Sequence, residues 1–152
     1  MTWREGVVVS GLGLSLACGT APQGAAELDT RNEACQHCRM TVSDRRFASQ
    51  VVAPGEEARF FDDLACLTEW LASQPTLPTG AVAYVTDHRT ATWVAGSDAV
   101  FTRVETIETP MGSHVIAHAS RASRDQDPEV REGVPVATAD VLGAMARGEG
   151  RR

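Results

Sequence analysis

The chain has 152 residues, 43% of them hydrophobic and 22% charged, which fits one small domain with appendages. This composition excludes global disorder, because the chain carries enough apolar residues to bury a core. The formal net charge of −6 argues against nucleic acid as a partner, since phosphate binding requires a basic surface.

The first segment of the chain, residues 1–17, has the pattern of a secretory signal peptide. Arg4 precedes a short apolar run that begins at Val7 and ends at the small residue Ala17. The run is too short to cross a bilayer comfortably, because a spanning helix needs about 20 apolar residues. We therefore predict a targeting segment that directs the domain out of the cytoplasm.

Cys18 follows the targeting segment and is followed by Gly19, an arrangement that resembles the lipidation motif of bacterial lipoproteins. Ser15 departs from the leucine that this motif prefers. We predict that Cys18 is lipidated and that residues 18–34, rich in small residues, form a flexible tether. A secreted protein without lipid and an uncleaved anchor are the alternatives, and both also leave the domain outside the cytoplasm.

The remaining chain, residues 35–147, is predicted to alternate short strands with two helices. Pro54-Gly55 is a strong turn signal between segments that contain Val and Phe, which indicates a β-hairpin. Asp62 or Asp63 can cap the helix that follows. The predicted strands are 46–53, 57–61, 81–87, 91–95, 99–105, 115–119 and 134–136. The predicted helices are 64–72 and 139–146. A polar loop is predicted over 120–133 and a disordered tail over 148–152.

The two halves of this domain have the same order of elements. Each runs through a Met-bearing turn, a strand, a connection, a second strand, an aspartate and a helix, beginning at Met40 and again at Met111. We therefore predict an α+β fold of two related repeats, over about 35–87 and 91–147. Pseudo-symmetric packing of the repeats would bring the two methionines to equivalent positions at a shared cleft.

The segment Cys35-Gln36-His37-Cys38-Arg39-Met40 concentrates two thiols, an imidazole and a thioether. Besides an inert structural role, three interpretations of Cys35-x-x-Cys38 remain open. Two cysteines at this spacing can form a disulfide in an oxidising compartment. A zinc knuckle needs a second pair of Cys or His ligands, and no second Cys-x-x-Cys is present. A Cu(I) site uses soft sulfur donors, and the thioether of Met40 favours this third interpretation.

Other potential donors have simpler explanations beside the functional one. Met111 stands in a Pro-Met-Gly turn, so it is a candidate ligand as well as a core methionine. His114 follows closely and is a candidate for the same site or a solvated surface residue. His118, four residues further, is expected on the same strand face as His114. Cys66 is interpreted as a small buried residue, and His88 as a turn residue.

Four motifs stand in a fixed order between residues 35 and 119: Cys35-x-x-Cys38-x-Met40, then Phe61-Asp62-Asp63 before Trp70, then Tyr84-Val85-Thr86-Asp87 before Trp93, and Thr109-Pro110-Met111-Gly112 with Ala117. In this order and spacing they resemble the NosL family, accessory lipoproteins of nitrous oxide reductase that carry Cu(I). The resemblance implies two ββαβ-type units, a fold shared with the core of organomercurial lyase. Cys66 and the segment after residue 119 depart from the family pattern.

The resemblance also implies a ligand set and a role. Cys38, Met40 and Met111 would be the principal Cu(I) ligands, with Cys35 and histidines such as His114 as secondary ones. The protein would be a lipid-anchored copper chaperone outside the cytoplasm, without catalysis of its own. Its partners would be the membrane and an acceptor cuproenzyme or its assembly complex, most directly nitrous oxide reductase.

Three alternatives to a copper chaperone remain. A thiol–disulfide oxidoreductase would use Cys35 and Cys38, and it requires a depressed thiol pKa and a reversible disulfide. Carbon–mercury cleavage, by analogy with organomercurial lyase, needs two cysteines and an aspartate, for which Cys66 and Asp62 or Asp63 are the candidates. In the third alternative, the Cys pair is an inert staple in a structural lipoprotein domain.

Overall fold

The computed structural model describes residues 24–130 and 132–147. The predicted signal peptide, Cys18 and the tail over 148–152 lie outside the described residues. Within the described ranges, no helix has the length and apolar character needed to cross a membrane.

Four antiparallel strands form the first sheet, in the order β2–β1–β3–β4. They are β1 (Ser49–Val52), β2 (Arg59–Phe61), β3 (Val82–Thr86) and β4 (Trp93–Ala95). The predicted hairpin joins β1 to β2, and Gly55 adopts the left-handed φ of 76° that favours glycine in its turn. Helix α1 (Leu64–Ser73) follows β2 and buries Leu64 and Leu67 in the core.

Three antiparallel strands form the second sheet, in the order β6–β5–β7. They are β5 (Val100–Arg103), β6 (Val115–His118) and β7 (Val134–Val136), with α2 (Arg121–Asp125) before β7 and α3 (Thr138–Leu142) after it. In both halves, a helix separates the second strand from the third, and the first strand lies between the other two. The predicted α+β class is therefore confirmed, while a repeat relationship between the halves stays a prediction.

The strand order aligns the halves differently from the sequence pattern. α1 corresponds to α2, because each lies between the second and third strands of its sheet, whereas the sequence pattern paired α1 with the C-terminal helix. Met40 precedes the first strand of its half, but Met111 lies between β5 and β6. The two methionines are thus not topologically equivalent, and β4, assigned by sequence to the second half, pairs with β3.

Two segments differ from the predicted elements for local reasons. The predicted polar loop over 120–133 contains α2, whose first turn is capped by the Ser120 hydroxyl accepting from the Ser123 N–H. The predicted helix over 139–146 is interrupted, because Gly143 adopts a φ of 53° and the chain continues as a 3-10 helix, Gly143–Arg147. Six of the seven strands are one to four residues shorter than predicted, and β7 has the predicted bounds.

Part of the predicted tether packs against the domain. The side chain of Gln50 accepts from the Ala26 N–H at 2.8 Å and donates to the Ala26 carbonyl at 3.0 Å. Leu28 is buried in the core, and Ala34 pairs with Thr41 in a β-bridge. The ordered domain therefore begins before residue 35.

The two sheets join at Asp87 and Ala117, which form a parallel β-bridge. The His88 N–H donates to the Ala117 carbonyl at 2.8 Å, and the Ala119 N–H donates to Oδ2 of Asp87 at 2.7 Å. The larger of two hydrophobic clusters extends across both sheets, with Phe61 and Phe101 among its fully buried side chains, and Val104, Ile107 and Ile116 form the smaller one. The junction fixes the second sheet, and with it the Met111 turn, relative to α1.

Candidate metal centre

The Cys35–Met40 segment folds into a tight loop on the edge of the first sheet. The Cys35 N–H donates to the Met40 carbonyl at 2.7 Å, and the Arg39 N–H donates to the Cys35 carbonyl at 3.0 Å. Arg39 adopts a left-handed φ of 68°, which lets the chain reverse after the second cysteine. A bond of 2.8 Å from the Gln36 N–H to the Phe60 carbonyl attaches the loop to β2.

Four potential metal donors converge beside this loop. The sulfur atoms of Cys35, Cys38 and Cys66 and a carboxylate oxygen of Asp62 all lie within 4.8 Å of one another. Cys35 and Cys66 are buried, whereas Cys38 is partly exposed. All three cysteines in the part of the chain that the structure describes are free thiols. The site therefore has a buried base of two thiols and one thiol that opens to solvent.

The start of helix α1 supplies two of these donors, one from the residue before its cap and one from its first turn. Asp63 caps the helix, since its Oδ1 accepts from the Ala65 N–H at 2.8 Å. Asp62, one residue earlier, directs its carboxylate to the Cys35–Met40 loop instead. Cys66 lies in the first turn of the helix, where it is buried against the same loop. The chain thus places a carboxylate and a thiol four residues apart on one side of the site.

The electrostatic surroundings favour protonated thiols in the metal-free protein. Burial is the largest factor that raises the pKa of Cys38, and Cys35 and Asp62 raise it further, whereas a hydrogen bond from the Met40 N–H acts in the opposite direction. Burial, followed by Asp62, raises the pKa of Cys66 strongly. A bound cation would compensate these effects, because it favours the thiolate form of a ligating cysteine.

The Met111 turn reaches the same end of α1 through Asp63. Oδ2 of Asp63 accepts from the Met111 N–H at 2.8 Å. Burial alone would raise the pKa of Asp63, but hydrogen bonds from Ser113, Thr109 and the backbone N–H groups lower it below its usual value. Asp62 and Asp63 therefore connect the N-terminus of α1 to the cysteine loop and to the methionine turn respectively.

The structure brings together some of the ligands predicted from sequence. Cys35 and Cys38 lie in the four-donor cluster. Met40 and Met111 are exposed by 55% and 45%, so their thioethers lie at the surface of the two loops that meet α1. The involvement of Cys35, Cys38, Met40, Met111 and His114 in metal binding stays a prediction.

No histidine belongs to the four-donor cluster. His114 has a φ of 56°, and its Nδ1 donates to the Ile107 carbonyl at 2.8 Å within its own loop. It precedes β6, so the strand alternation that would align it with His118 does not apply, and His118 is fully buried. His37 pairs with Glu69 at 2.8 Å.

Sequence reasoning did not include Asp62 and Cys66 among the copper ligands, although it named Cys66 and Asp62 or Asp63 as candidates for carbon–mercury cleavage. Asp62 was interpreted as a possible cap, but Asp63 performs that function. Cys66 was interpreted as a small buried residue, which its 2% exposure confirms, but its sulfur also faces the other two thiols. The spacing of four residues between Asp62 and Cys66 at a helix start is the signal that could have indicated a common orientation.

A comparison with protein families identifies the chain. The NosL family model matches residues 26–148, which is most of the sequence. The chain belongs to the NosL family. No curated protein and no solved structure matches it significantly.

The donor set is compatible with the copper binding that NosL family membership suggests, although Cys66 and Asp62 are not in the ligand set that the resemblance implies. Three thiols are soft ligands, and a cluster of Cys35, Cys38 and Cys66 is compatible with a copper ion. Together with Asp62, the three thiols provide the four donors that a tetrahedral zinc site needs. The spacing of the cysteines did not indicate these four donors, because no second Cys-x-x-Cys is present. The two cysteines and one aspartate needed for carbon–mercury cleavage are present as well.

Proposed function

We propose that this NosL family member binds Cu(I) outside the cytoplasm and delivers it to a cuproenzyme, with nitrous oxide reductase as the acceptor. The observation that carries the proposal is the convergence of three free thiols within 4.8 Å, one of them accessible from solvent. Lipidation of Cys18 would hold the protein at the membrane. The acidic net charge of −6 suits a basic docking surface on the acceptor.

The arrangement of donors suits a carrier that must also release its cargo. Cys35 and Cys66 would retain Cu(I) at the buried base, and Cys38 would lie between them and the solvent. The exposed thioethers of Met40 and Met111 bind Cu(I) more weakly than thiolates, because they carry no charge. An acceptor could therefore replace the outer ligands one at a time before it takes the ion from the thiols.

A competition titration tests copper binding. The reduced protein is titrated with Cu(I) against a chromophoric chelator, alongside Cys38→Ser, Met40→Leu and Met111→Leu. Met145→Leu is the matched control, because Met145 lies in the 3-10 helix Gly143–Arg147, outside the Cys35–Met40 loop and the Met111 turn. Competition by wild type and its loss in Cys38→Ser are expected, whereas equal and poor competition by all variants would refute the proposal. Competition with Zn²⁺ in the same assay identifies which ion the cluster prefers.

Delivery and anchoring need separate measurements. Copper-loaded protein is mixed with copper-free nitrous oxide reductase, and the copper content and activity of the separated reductase are measured. No gain by the reductase, under conditions where Cu(I) binding is demonstrated, would remove the acceptor from the proposal. Mass spectrometry of the membrane fraction shows whether Cys18 carries acyl groups, and a soluble unmodified chain would refute the lipid anchor.

The oxidoreductase alternative has less support from the site. A nucleophilic cysteine of such enzymes has a depressed pKa and is accessible. Here burial raises the pKa of Cys38, and Cys35 is fully buried. Measurement of the Cys35–Cys38 reduction potential would still distinguish the two functions, since a redox enzyme requires a disulfide that forms and breaks reversibly.

Carbon–mercury cleavage is a second candidate function, favoured by the contact between Cys38 and Asp62 beside Cys66. In such a reaction two sulfur–mercury bonds form and the carbon–mercury bond breaks. One thiol proton reaches the leaving carbon by way of the Asp62 carboxylate, and the other goes to solvent. Incubation with phenylmercury acetate would release benzene, which gas chromatography detects, and its absence would exclude this function.

A further inference from the structure

A second cluster of potential metal donors lies at the junction of the two sheets. His88 follows β3, His118 ends β6, and Asp127 follows α2. Nδ1 of His88 lies 2.7 Å from Oδ2 of Asp127, and Nε2 of His118 lies 3.0 Å from the same oxygen. The three donor atoms are all within 4.8 Å of one another. Two imidazoles from different sheets therefore converge on a single carboxylate oxygen.

All three side chains are removed from solvent, with exposed fractions of 3%, 0% and 6% for His88, His118 and Asp127. Each imidazole has a second ring nitrogen, Nε2 of His88 and Nδ1 of His118. Both are buried without a hydrogen-bond partner among the described residues. A buried polar atom without a partner costs about 1–3 kcal/mol, and a purely structural role for the cluster does not account for two such nitrogens.

The surrounding contacts hold the three donors in place. Oδ1 of Asp127 accepts from the Glu129 N–H at 3.0 Å, which leaves Oδ2 for the two rings. Asp87, next to His88, accepts from the Ala119 N–H next to His118 at 2.7 Å. Asp87 also accepts from the Ser123 hydroxyl at 2.6 Å. Fixed orientation of ligating histidines and carboxylates by such contacts is a feature of metal sites.

We propose that His88, His118 and Asp127 bind a divalent transition ion of the Zn²⁺ or Cu²⁺ type. Two imidazole nitrogens and a carboxylate oxygen are borderline donors, which suit these ions, whereas Cu(I) prefers the sulfur cluster. Zinc–ligand distances of about 2.0–2.2 Å require donor separations near 3.3 Å, so the observed contacts need to lengthen by about 0.5 Å. On binding, the ring protons would move to Nε2 of His88 and Nδ1 of His118, and bonds to the ion would replace the two hydrogen bonds to Asp127.

This site is independent of the proposed copper function, because it shares no residue with the sulfur cluster. It would add a fixed ion at the place where β3, β6 and the segment after α2 meet. Such an ion would stabilise the junction that positions the Met111 turn relative to α1. The class of ligand is a divalent cation resident in the fold, in contrast to a Cu(I) cargo that is passed on.

The experiment uses the full chain with all four of its cysteines replaced by alanine, so that no thiol binds metal. The chain is refolded with Zn²⁺, which removes any limit that burial places on access, and is then dialysed and analysed for bound metal. His118→Gln and Asp127→Asn are introduced in this background. His114→Gln and His37→Gln are the matched controls, since these are the two histidines outside the cluster.

We expect one retained Zn²⁺, a loss of affinity of at least tenfold in His118→Gln and Asp127→Asn, and no change in the two controls. Retention of no metal, or equal retention by all variants, would overturn the proposal.

If a cluster variant does not fold, Cu²⁺ bound to the cysteine-free chain with both control substitutions is analysed by electron paramagnetic resonance. If the cysteine-free chain does not fold, the spectrum is recorded on the control double variant with its thiols saturated by Ag(I). Coupling to two imidazole nitrogens supports the site, and its absence refutes it.

Discussion

The sulfur of Cys38 lies 3.4 Å from both carboxylate oxygens of Asp62. A thiol donates to a carboxylate in this arrangement, so Asp62 stabilises the protonated form of Cys38. The same carboxylate contributes to the raised pKa of Cys66. A cation in the cluster would exchange the thiol protons for metal–sulfur bonds and would also neutralise the carboxylate. Asp62 therefore disfavours the metal-free thiolate and can be a ligand in the metal-bound state.

Asp62→Asn is expected to lower the pKa of Cys38, because the substitution removes a negative charge and an acceptor that raise it. The rate of alkylation of Cys38 by iodoacetamide, measured from pH 6 to pH 10 (about the range of thiol titration), reports this shift. Glu69→Gln is the control, since Glu69 is an exposed carboxylate that pairs with His37. An unchanged profile in Asp62→Asn would show that Asp62 does not contribute to the Cys38 pKa.

Cys66→Ala is expected to weaken Cu(I) binding as much as Cys38→Ala does, by at least about tenfold, or 1.4 kcal/mol. The physical reason is that its sulfur shares the cluster with Cys35 and Cys38, whereas Met40 and Met111 are at the surface. The chelator competition described above measures both changes. A larger loss in Met40→Leu or Met111→Leu than in Cys66→Ala would instead support the ligand set implied by the family resemblance.

Asp63→Ala is expected to destabilise the domain by about 2 kcal/mol, through loss of the α1 cap and of the acceptor for the Met111 N–H. Urea denaturation followed by circular dichroism measures the free energy of unfolding. Asp98→Ala is the control, because Asp98 is an exposed aspartate. Equal stability of the two variants would mean that neither contact of Asp63 contributes to folding.

The metal-free domain is expected to lose stability as the pH falls from about 4 towards 2. Burial alone would raise the pKa of Asp87, but hydrogen bonds from the Ala119 N–H, the Ser123 hydroxyl and Thr90 lower it from its usual value to about 2. A carboxylate with a depressed pKa in the folded state stabilises the fold above its unfolded pKa, here by about 2 kcal/mol. Asp87→Asn should therefore be less stable at neutral pH and lose less stability on acidification, as urea titrations at each pH can test.

The apparent affinity for Cu(I) is expected to fall as the pH is lowered. Burial raises the pKa of Cys38 and Cys66 above the usual thiol value, so both are protonated at neutral pH and must release protons to bind metal. Each displaced proton weakens apparent binding about tenfold per unit of pH below the thiol pKa. Chelator competition at several pH values measures this slope, and a flat profile would exclude thiolate ligation.

Much of the fold follows from local patterns in the chain. The Pro54-Gly55 turn and the Val-rich segments predicted all seven strands in their order, and the spacing of apolar residues predicted α1. The boundaries were less accurate where backbone geometry decides them, as at Gly143, whose left-handed φ ends α3 early. The segment with α2 appeared polar and irregular, because its short helix depends on a Ser120 cap and not on an apolar face.

The sequence by itself determined the family, the α+β class and the concentration of potential donors between Cys35 and Met40, because these depend on motifs whose residues are close along the chain. Only the tertiary structure decided that Asp62 and Cys66 face those thiols, since the contact joins a loop to a helix that begins about 25 residues later. It also decided that His88, His118 and Asp127 meet. No periodicity relates residues from three separate elements, and their contact arises only when the two sheets join at Asp87 and Ala117.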